Sequence, residues 1–347
     1  MKKIQQKINE HYKKQLPFVV YNKPNAKKVF GVFQQNDDLN IITNQFDRQG
    51  FIFAPFSSND ISVLFPLSVS ELMNDNLPVN DEPKVNGVLS KNFDSKFAHV
   101  ELVENGVEAI ERGCFKKVVL SRKEKVKLAE IDVIKTYDKL LYTYPNAFVY
   151  VWFHPKVGLW FGATPETLLQ TSSQKFKTMS LAGTQVFKEG VELVWKNKEL
   201  EEQQLVTDFI KNQLNPIASN LIIDKTETIK AGNLLHLRTK VEGVLNKNAS
   251  LEHLIRGLHP TPAVCGLPKE RAKEFINVNE NYKRTFYTGF LGELGVESSH
   301  LYVNLRCMGI ADQTASIYVG GGITKESNPK KEWEETVSKS KTMRRVL

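Results

Sequence analysis

Three segments rich in aromatic and β-branched residues follow one another closely in the middle of the chain. They occupy residues 147–153, 158–162 and 167–170. Residues of these types are enriched in strands, and connections of about four residues suit antiparallel neighbours. The stretch predicts successive antiparallel strands, and any fold of this chain must accommodate them.

The rest of the chain groups strands into runs that are separated by long helical patterns. Further strands are predicted at residues 28–33, 50–54, 117–122, 234–244, 300–308 and 315–319, and helices at 97–113, 131–144, 192–213 and from Ser327 or Asn328 onward. Residues 1–95 are interpreted as strands and turns, and the polar loop 74–86 is the best candidate boundary. This pattern indicates an α+β fold with largely antiparallel sheets rather than a doubly wound parallel sheet.

Composition narrows the partners that we expect. The net charge is +8, but the lysines are spread along the chain and no basic run is interleaved with aromatic residues. We therefore expect no nucleic-acid partner, whereas a mildly positive field suits a small dianionic substrate. The three cysteines lack CxxC spacing, and neither a signal peptide nor a long apolar run is present. These features predict a cytoplasmic protein without membrane contact.

Two pairs of glutamates have the spacing of neighbours on one helix face. Glu199 and Glu202 lie in one predicted helix, and Glu332 and Glu335 lie in another. Residues three positions apart share a face, and a single pair of this kind is usually solvated surface. If the two helices face each other, the four carboxylates make a hard-oxygen site that suits Mg²⁺, with one residue of each pair as a direct ligand.

Other candidates for chemistry lie beside predicted strands. Gly320, Gly321 and Gly322 follow the strand 315–319. They make either a plain tight turn or a backbone that approaches an anionic ligand closely. Lys117 heads a β-rich run, where a lysine is usually exposed at a strand edge, and Glu166 follows a proline in a turn. A desolvated lysine base and a glutamic acid on opposite faces of a substrate would suit water addition coupled to loss of a hydroxyl.

The remaining histidine and cysteine residues carry weaker signals. His236 and His259 lack the spacing of metal ligands and are interpreted as structural or substrate-lining. Cys265 has no recognisable His or Asp partner in the sequence, so nucleophilic cysteine catalysis is disfavoured. The chain also lacks a GxGxxG unit between strand and helix and a GxxxxGK[ST] motif, which disfavours a dinucleotide or P-loop site.

Nine short motifs, taken together, resemble the chorismate-utilising enzymes, which include isochorismate, salicylate, anthranilate and aminodeoxychorismate synthases. They occur in the order of that family over about residues 95–345, and they start at Lys117, Gly162, Leu181, Lys198, His259, Tyr287, Asn304, Gly320 and Glu332. The resemblance implies one α+β unit with two packed, largely antiparallel sheets flanked by helices. Residues 1–95 would be a divergent N-terminal part of this fold, and residues 96–347 the chorismate-binding catalytic region.

The resemblance also implies a role for each site residue. Lys117 would be the base that activates water for attack at C2 of chorismate, and Glu166 the acid that protonates the departing C4 hydroxyl. The metal would be Mg²⁺, held by Glu202 and Glu335 with Glu199 and Glu332 beside them. The implied substrate-binding positions are Ala182, Gly183, Thr184, Ala263, Val264, Arg306, Gly320, Gly321, Gly322 and Lys339.

Two positions separate the branches of this family. Ala182 stands where aminodeoxychorismate synthases carry a lysine nucleophile, and Ala263 stands where salicylate and anthranilate synthases tend to have threonine. The motif around Ala263 resembles the isochorismate branch, which works without a glutaminase subunit. Gln203 departs from the family pattern, because a histidine is frequent after the metal-binding glutamate.

The resemblance therefore implies an isochorismate synthase that feeds menaquinone or siderophore biosynthesis. The nearest alternative is a salicylate synthase, which also eliminates pyruvate from isochorismate in the same pocket. An alternative of another class is a non-catalytic binding protein that kept the fold. The presence of Lys117, Glu166 and all four acidic metal-site positions argues against the last one.

Overall fold

A computed structural model describes residues 1–43, 46–77, 94–187, 189–190, 193–231 and 234–347. Its helices are α1 (Lys2–Lys13), α2 (Asp94–Glu111), α3 (Val133–Thr143), α4 (Asn197–Leu214), α5 (Leu251–Leu258), α6 (Lys269–Asn279) and α7 (Pro329–Arg344). Its strands are β1 (Phe18–Asn22), β2 (Lys28–Gln34), β3 (Asn40–Ile42), β4 (Gly50–Ala54), β5 (Ser62–Pro66), β6 (Ser70–Asn76), β7 (Lys117–Lys127), β8 (Phe148–His154), β9 (Gly158–Thr164), β10 (Thr167–Ser172), β11 (Lys175–Val186), β12 (Ala218–Ile223), β13 (Glu227–Ala231), β14 (Leu234–Leu245), β15 (Gly266–Leu267), β16 (Phe290–Leu294), β17 (Ser298–Val303), β18 (Cys307–Ala311) and β19 (Thr314–Ile323).

Within these ranges the strands form two antiparallel sheets. The first sheet has the order β15-β7-β19-β18-β9-β8-β1-β2-β6. The second has the order β12-β14-β11-β10-β17-β16-β4-β5-β3, with β13 pairing to β14. Strands β8, β9 and β10 follow one another through short connections, as their sequences predict. The expected α+β architecture with antiparallel sheets is confirmed.

An aromatic layer joins the inner faces of the two sheets. Phe65 of β5 stacks on Trp152 of β8 with 5.1 Å between ring centroids. Phe148 of β8 stacks on Tyr302 of β17 at 4.1 Å, and Phe53 of β4 contacts Trp152 at 5.1 Å. These large side chains are buried, and such ring pairs add directional stabilisation to the burial of apolar area. The two sheets are therefore held together by an aromatic core.

Helices cover the outer faces. Helices α1 and α3 pack on the first sheet through Ile4, Ile8 and Tyr137, and α4 and α5 pack on the second sheet through residues that include Val206. Helix α7 lies along β19 and contacts α2. It begins after Asn328, whose side chain accepts a hydrogen bond from Lys331 N at 3.1 Å, as the sequence predicts for an N-cap. Among the described residues, no helix is long and apolar enough to cross a membrane.

The N-terminal region differs from its predicted form. Residues 2–13 form helix α1, which the interpretation of residues 1–95 as strands and turns missed. The predicted loop 74–86 starts later, because β6 extends through Asn76; residues 78–86 of that loop lie outside the described residues. Strands from this region enter both sheets.

Two predictions near the C-terminus were wrong in detail. Gly320, Gly321 and Gly322 lie inside β19 and pair with Ser121, Leu120 and Val119 of β7, so they form neither a turn nor a loop. The predicted strand 300–308 is broken into β17 and β18. Arg306 lies in the break with a φ of 47°, a left-handed conformation that interrupts a strand.

Candidate active site

A cleft opens between the two sheets, where β7 and β19 of the first sheet face β11 and β14 of the second. Helices α4 and α7 carry side chains into it from either side. Fourteen of the sixteen positions proposed from the sequence line the cleft: Glu166, Ala182, Gly183, Thr184, Glu199, Glu202, Ala263, Val264, Arg306, Gly320, Gly321, Gly322, Glu335 and Lys339. The other two, Lys117 and Glu332, contact lining residues from behind. The fold thus gathers positions that are spread over more than 200 residues of sequence.

Lys117 is a buried cation and not an exposed residue at a strand edge. The residue is 0% exposed, and β7 is not an edge strand, since β15 pairs with it on one side and β19 on the other. Its Nζ lies 2.8 Å from Glu202 Oε1 in an ion pair. The contact lacks hydrogen-bond geometry, and no other acceptor among the described residues bonds this ammonium. Lys117 therefore keeps N–H donors available inside the site.

The carboxylate of Glu202 remains charged despite its position in the cleft. Burial would raise its pKa, but the positive charge of Lys117, together with Lys198 and Lys339, brings the pKa below the ordinary value. Helix α4 places Glu202 against β19, where a Cβ added to Gly322 would collide with Glu202 Oε1. The absence of a side chain at position 322 makes room for this carboxylate.

Helix α7 brings two further carboxylates to the same strand. A Cβ on Gly321 would lie 3.3 Å from Glu332 Oε2 and 3.6 Å from Glu335 Oε1. Burial, reinforced by the negative charge of Glu335, raises the pKa of Glu332. Lys198 Nζ donates to Glu332 Oε1 at 2.7 Å. The raised pKa indicates that this pair of carboxylates favours additional positive charge.

The acidic residues fit a magnesium ion that also binds water and a ligand better than one that is held by protein side chains alone. No group of three His, Cys, Asp or Glu side chains in the described part of the chain has the arrangement of a metal cluster. Mg²⁺, however, commonly takes only one or two protein carboxylates and completes its octahedron with water and substrate oxygens. Glu202 and Glu335 meet that requirement from facing helices across the glycine strand.

Glu199 has a competing task. Its Oε2 accepts a hydrogen bond from Lys196 N at 3.0 Å, so it caps the first turn of α4. A capping carboxylate stabilises the helix start. This use of one oxygen makes Glu199 the least available of the four predicted acidic residues.

Glu166 is buried between β9 and β10 and is not an exposed turn carboxylate. The residue is 3% exposed. Burial raises the pKa of its carboxyl to about 8, although the charges of Lys117 and Lys339 act in the opposite direction. At neutral pH this carboxyl therefore holds a proton, which is the state that a general acid requires.

Positive and neutral donors surround the rest of the cleft. Arg306 Nη1 donates to Thr342 Oγ1 at 3.3 Å, and Lys339 Nζ donates to Gly320 O at 2.9 Å and pairs with Glu335. A guanidinium and an ammonium in a confined space suit a ligand that carries carboxylates. Ala263 and Val264 add an apolar wall to the lining of the cleft.

His236 contributes a neutral imidazole to the cleft. Its Nδ1 lies 3.2 Å from Gly183 O and 3.3 Å from Thr184 Oγ1. Burial, together with the nearby charges of Arg306 and Lys339, lowers its pKa to about 3. Gly183 O can only accept, so a proton on Nδ1 leaves Nε2 as a free acceptor, and Nε2 has no partner among the described atoms.

His259 and Cys265 have structural surroundings. His259 Nε2 lies 3.2 Å from Pro55 O, and burial lowers the pKa of this imidazole to about 4. Burial raises the pKa of the Cys265 thiol to about 11, so it stays protonated. The sequence could not tell whether His236 and His259 are structural or substrate-lining. The fold places His236 in the lining of the cleft and leaves His259 outside it.

Sequence reasoning gave no individual role to Lys198 or Tyr287. Lys198 pairs with Glu332 from the opposite helix, and its place four residues before Glu202 on a helix was a usable signal. Tyr287 lines the cleft, and a Cβ on Gly320 would lie 3.0 Å from its hydroxyl oxygen. Nothing local marks Tyr287, because its contact depends on how β19 passes it.

A buried ion pair stands directly behind the cleft wall. Arg284 Nε donates to Glu280 Oε2 at 2.8 Å, and Arg284 Nη2 donates to Glu280 Oε1 at 2.5 Å. The same guanidinium donates to Val119 O at 2.7 Å and to Val264 O at 2.8 Å. Val119 and Val264 both line the cleft. Arg284 therefore ties two walls of the site together from outside.

A sequence profile of the chorismate binding enzymes matches residues 67–347. The chain belongs to this family. The resemblance inferred from the nine motifs is confirmed, and the matched region contains every site residue described above.

Individual relatives agree with this placement. The chain is 30% identical over 254 residues to "Isochorismate synthase MenF" of Pasteurella multocida, which covers 69% of this chain but only 58% of that protein. The solved structure of MenF, the menaquinone-specific isochorismate synthase from Escherichia coli, has a TM-score of 0.81 at 21% identity over 95% of this chain and 88% of that one. A putative 2,3-dihydroxybenzoate-specific isochorismate synthase, DhbC from Bacillus anthracis, has a TM-score of 0.83 at 25% identity over 99% of both chains.

Proposed function

We propose that this protein is an isochorismate synthase that interconverts chorismate and isochorismate. The observation that carries the proposal is the protonated, buried carboxyl of Glu166 in the cleft, together with Lys117, which pairs with the cleft residue Glu202 from behind. An acid that holds its proton at neutral pH and a lysine that can act as a base are the two groups that an exchange of water for hydroxyl requires. Similarity to isochorismate synthases supports the choice of reaction.

The proposed reaction moves one proton at each end of the substrate. Lys117, once its ammonium has lost a proton to solvent, takes a proton from water while the water oxygen forms a bond to C2. The two conjugated ring double bonds shift, the C4–O bond breaks, and the proton of Glu166 leaves with the C4 hydroxyl as water. The number of atoms is conserved, because one water enters and one water departs.

Magnesium is the proposed cofactor, with Glu202 and Glu335 as direct ligands and Glu332 and Glu199 beside them. Bound there, the ion would supply positive charge that holds a substrate carboxylate. The gathering of these carboxylates around Gly321 and Gly322 supports this assignment. Lys117, Lys198 and Lys339 each pair with one of the clustered glutamates, which keeps the acidic residues from repelling one another.

The remaining groups would bind and orient the substrate. Arg306 and Lys339 would hold carboxylate oxygens, and the backbone of Gly320 and Gly183 would allow the ring to approach closely. The free Nε2 of His236 is placed to accept a hydrogen bond from a hydroxyl. These contacts fix the ring between Lys117 and Glu166, and positioning of this kind lowers the barrier by removing orientational freedom.

Salicylate synthase is the second candidate, because it would use the same base and acid. Ala263 in the apolar wall favours the isochorismate branch. Ala182 offers no amine nucleophile, which disfavours aminodeoxychorismate synthesis and agrees with an enzyme that needs no glutaminase subunit. Related isochorismate synthases serve menaquinone and 2,3-dihydroxybenzoate production, so we propose one of these uses for the product.

Chromatography of products from purified protein, chorismate and Mg²⁺ tests the proposal, with an EDTA arm and the variant Lys117→Ala. Lys116→Ala is the matched control, because Lys116 is the exposed neighbour. We expect isochorismate with the wild type and with Lys116→Ala, and none with EDTA or with Lys117→Ala. Salicylate together with pyruvate would move the protein to the second candidate. No turnover by the wild type would leave a non-catalytic binding protein.

A further inference from the structure

Gln203 makes an unusually complete set of hydrogen bonds beside the acidic cluster. It follows Glu202 on α4 and is 2% exposed. Its Oε1 accepts from Ala182 N at 3.0 Å. Its Nε2 donates to Ser180 Oγ at 2.7 Å and to Thr239 Oγ1 at 2.9 Å. One side-chain amide thus joins helix α4 to both β11 and β14.

The backbone that Gln203 holds is irregular. The pairing of β11 with β14 shifts register between Ala182 and Thr184. Gly183 is the extra residue, with a φ of 57°. A bulge bends its strand and redirects the neighbouring groups. Here it turns Ala182, Gly183 and Thr184 into the cleft wall.

Helix α4 lies directly on this bulge. A Cβ added to Gly183 would come within 3.2 Å of Glu199 Cβ and 3.3 Å of Glu199 O. Gln203 sits one turn further along the same helix. The helix is therefore fixed to the bulge at two points, one by close backbone packing and one by the amide of Gln203. Glu202 lies between them.

We propose that Gln203 is a positioning residue that sets the distance between the Ala182–Gly183 wall and the carboxylate of Glu202. It lies outside the lining of the cleft, so it acts through Ala182 and Glu202 and not through direct contact with substrate. The kinetic part of this inference rests on the proposed isochorismate synthase function. The structural part, protection of the Ala182 N–H, does not.

Thr207 provides a matched control within the same hydrogen-bond network. It is buried one turn after Gln203 and lies 2.7 Å from Ser180 Oγ through its own Oγ1. Its hydroxyl also donates to Gln203 O at 3.0 Å. It makes no hydrogen bond to Ala182 and does not line the cleft. Thr207→Val therefore removes a buried hydroxyl from the network without releasing the bulge.

The experiment compares Gln203→Met, Gln203→His and Thr207→Val in kcat, KM and thermal stability with chorismate and Mg²⁺. Met keeps the length of the side chain but neither accepts from Ala182 N nor donates to the hydroxyls. We expect Gln203→Met to lower kcat/KM by about 10²-fold, mostly in kcat, because small misplacements of reacting groups cost rates of this order. His keeps one acceptor and one donor, so Gln203→His should recover to within about tenfold of wild type. Thr207→Val should lower stability alone.

Amide hydrogen exchange of the segment 179–186 supplies a readout that does not need turnover. Gln203→Met should speed exchange of the Ala182 amide, whereas Thr207→Val should leave it at the wild-type rate. Wild-type protein without turnover would overturn the proposed function, and hydrogen exchange would still decide the role of Gln203. Equal losses in kcat/KM for Gln203→Met and Thr207→Val would overturn the positioning role, and so would unchanged exchange in Gln203→Met. If Gln203→Met does not fold, a loss of more than about tenfold in Gln203→His would overturn it.

Discussion

Two groups of paired charges lie within the same region of this molecule, and they are built differently. In the cleft, lysines pair singly with glutamates, in the pairs Lys117–Glu202, Lys198–Glu332 and Lys339–Glu335. Behind the cleft wall, Arg284 binds Glu280 through two nitrogens and two backbone carbonyls through the same guanidinium. Each pair of the first group has at least one member that lines the cleft, whereas the second group is enclosed by protein.

The difference follows from the chemistry of the two cations. A guanidinium is a planar fork, and the donors of Arg284 are used up by the Glu280 carboxylate, the carbonyls of Val119 and Val264 and the hydroxyl of Thr288. A lysine ammonium is a point charge on a flexible stem, and it exchanges partners without breaking a bidentate geometry. We infer that the arginine pair holds the walls in place, while the lysine pairs keep carboxylates ready for a ligand.

The largest expected effect lies in the lysine–glutamate group. Glu335→Gln should reduce turnover by about 10³-fold or more, because it removes a proposed metal ligand and with it several kcal/mol of charge stabilisation. The melting temperature should stay near that of the wild type, since Glu335 is partly exposed and its ion pair with Lys339 is screened. Glu334→Gln, an exposed neighbour on α7, is the control for both measurements. Turnover that survives Glu335→Gln would remove the proposed distinction between the two groups.

The arginine pair should show the opposite behaviour. Glu280→Gln leaves a buried guanidinium without its carboxylate, which should lower the free energy of unfolding by about 3–5 kcal/mol. The matched control is Glu252→Gln, because Glu252 and Arg256 form a pair with the same i,i+4 spacing on exposed helix surface. That change should cost less than about 1 kcal/mol. Denaturant titration measures both variants, and similar losses for the two would contradict a special role for the buried pair.

Glu166 should make catalysis sensitive to alkaline pH. The proposed acid works only while protonated, so kcat/KM should fall as the pH rises through about 8, the pKa of Glu166. Glu166→Gln should lower kcat/KM by about 10²-fold or more below that pH and should lose this inflection. The range from about pH 7 to about pH 9 spans roughly one unit on each side of this inflection. A wild-type profile that stays flat over that range would argue that another group donates the proton.

The smallest expected effect is on the pH dependence of the melting temperature, to which the carboxyl of Glu166 contributes. Its pKa rises from 4.5 in the unfolded chain to about 8 in the folded protein, so the folded state binds more protons between these values. Its contribution to stability is complete below pH 4.5 and is lost as the pH rises through 8. The difference in melting temperature between Glu166→Gln and wild type should therefore grow by a few degrees in favour of the variant as the pH is raised from about 6 to about 9. Scanning calorimetry measures the melting temperature of both proteins. An unchanged difference between the two proteins would mean that Glu166 is ionised in the fold.

Local patterns in the sequence identified the helical part of the site. The spacing of Glu332 and Glu335 depends only on helix geometry, and Asn328 followed by a proline marks where their helix starts. The motifs shared with the chorismate-utilising family then connected α7 with α4. These features could be predicted because each requires only a few consecutive residues.

Features that depend on distant strands could not be predicted in the same way. Lys117 is not at a sheet edge because β15 and β19 flank β7, and its side chain lies against Glu202 of α4. Neither the strand order nor this contact is visible in a β-rich run. Three glycines in succession are typical of turns, yet Gly320–Gly322 extend a strand because β7 supplies partners for them. Gly183 gives no local sign of a bulge, which appears only where β11 meets β14.

The glycine at position 322 has a consequence for how this protein can change over generations. A single methyl group there would strike Glu202 and come within 3.1 Å of Lys117 Cε. Replacement by alanine, elsewhere in a strand among the mildest of substitutions, would here press on two proposed functional residues at once. Laboratory selection from a randomised library should thus accept wide variation on the exposed faces of α4 and α7 while returning glycine at 322. We therefore expect position 322, the residue without a side chain, to tolerate substitution least.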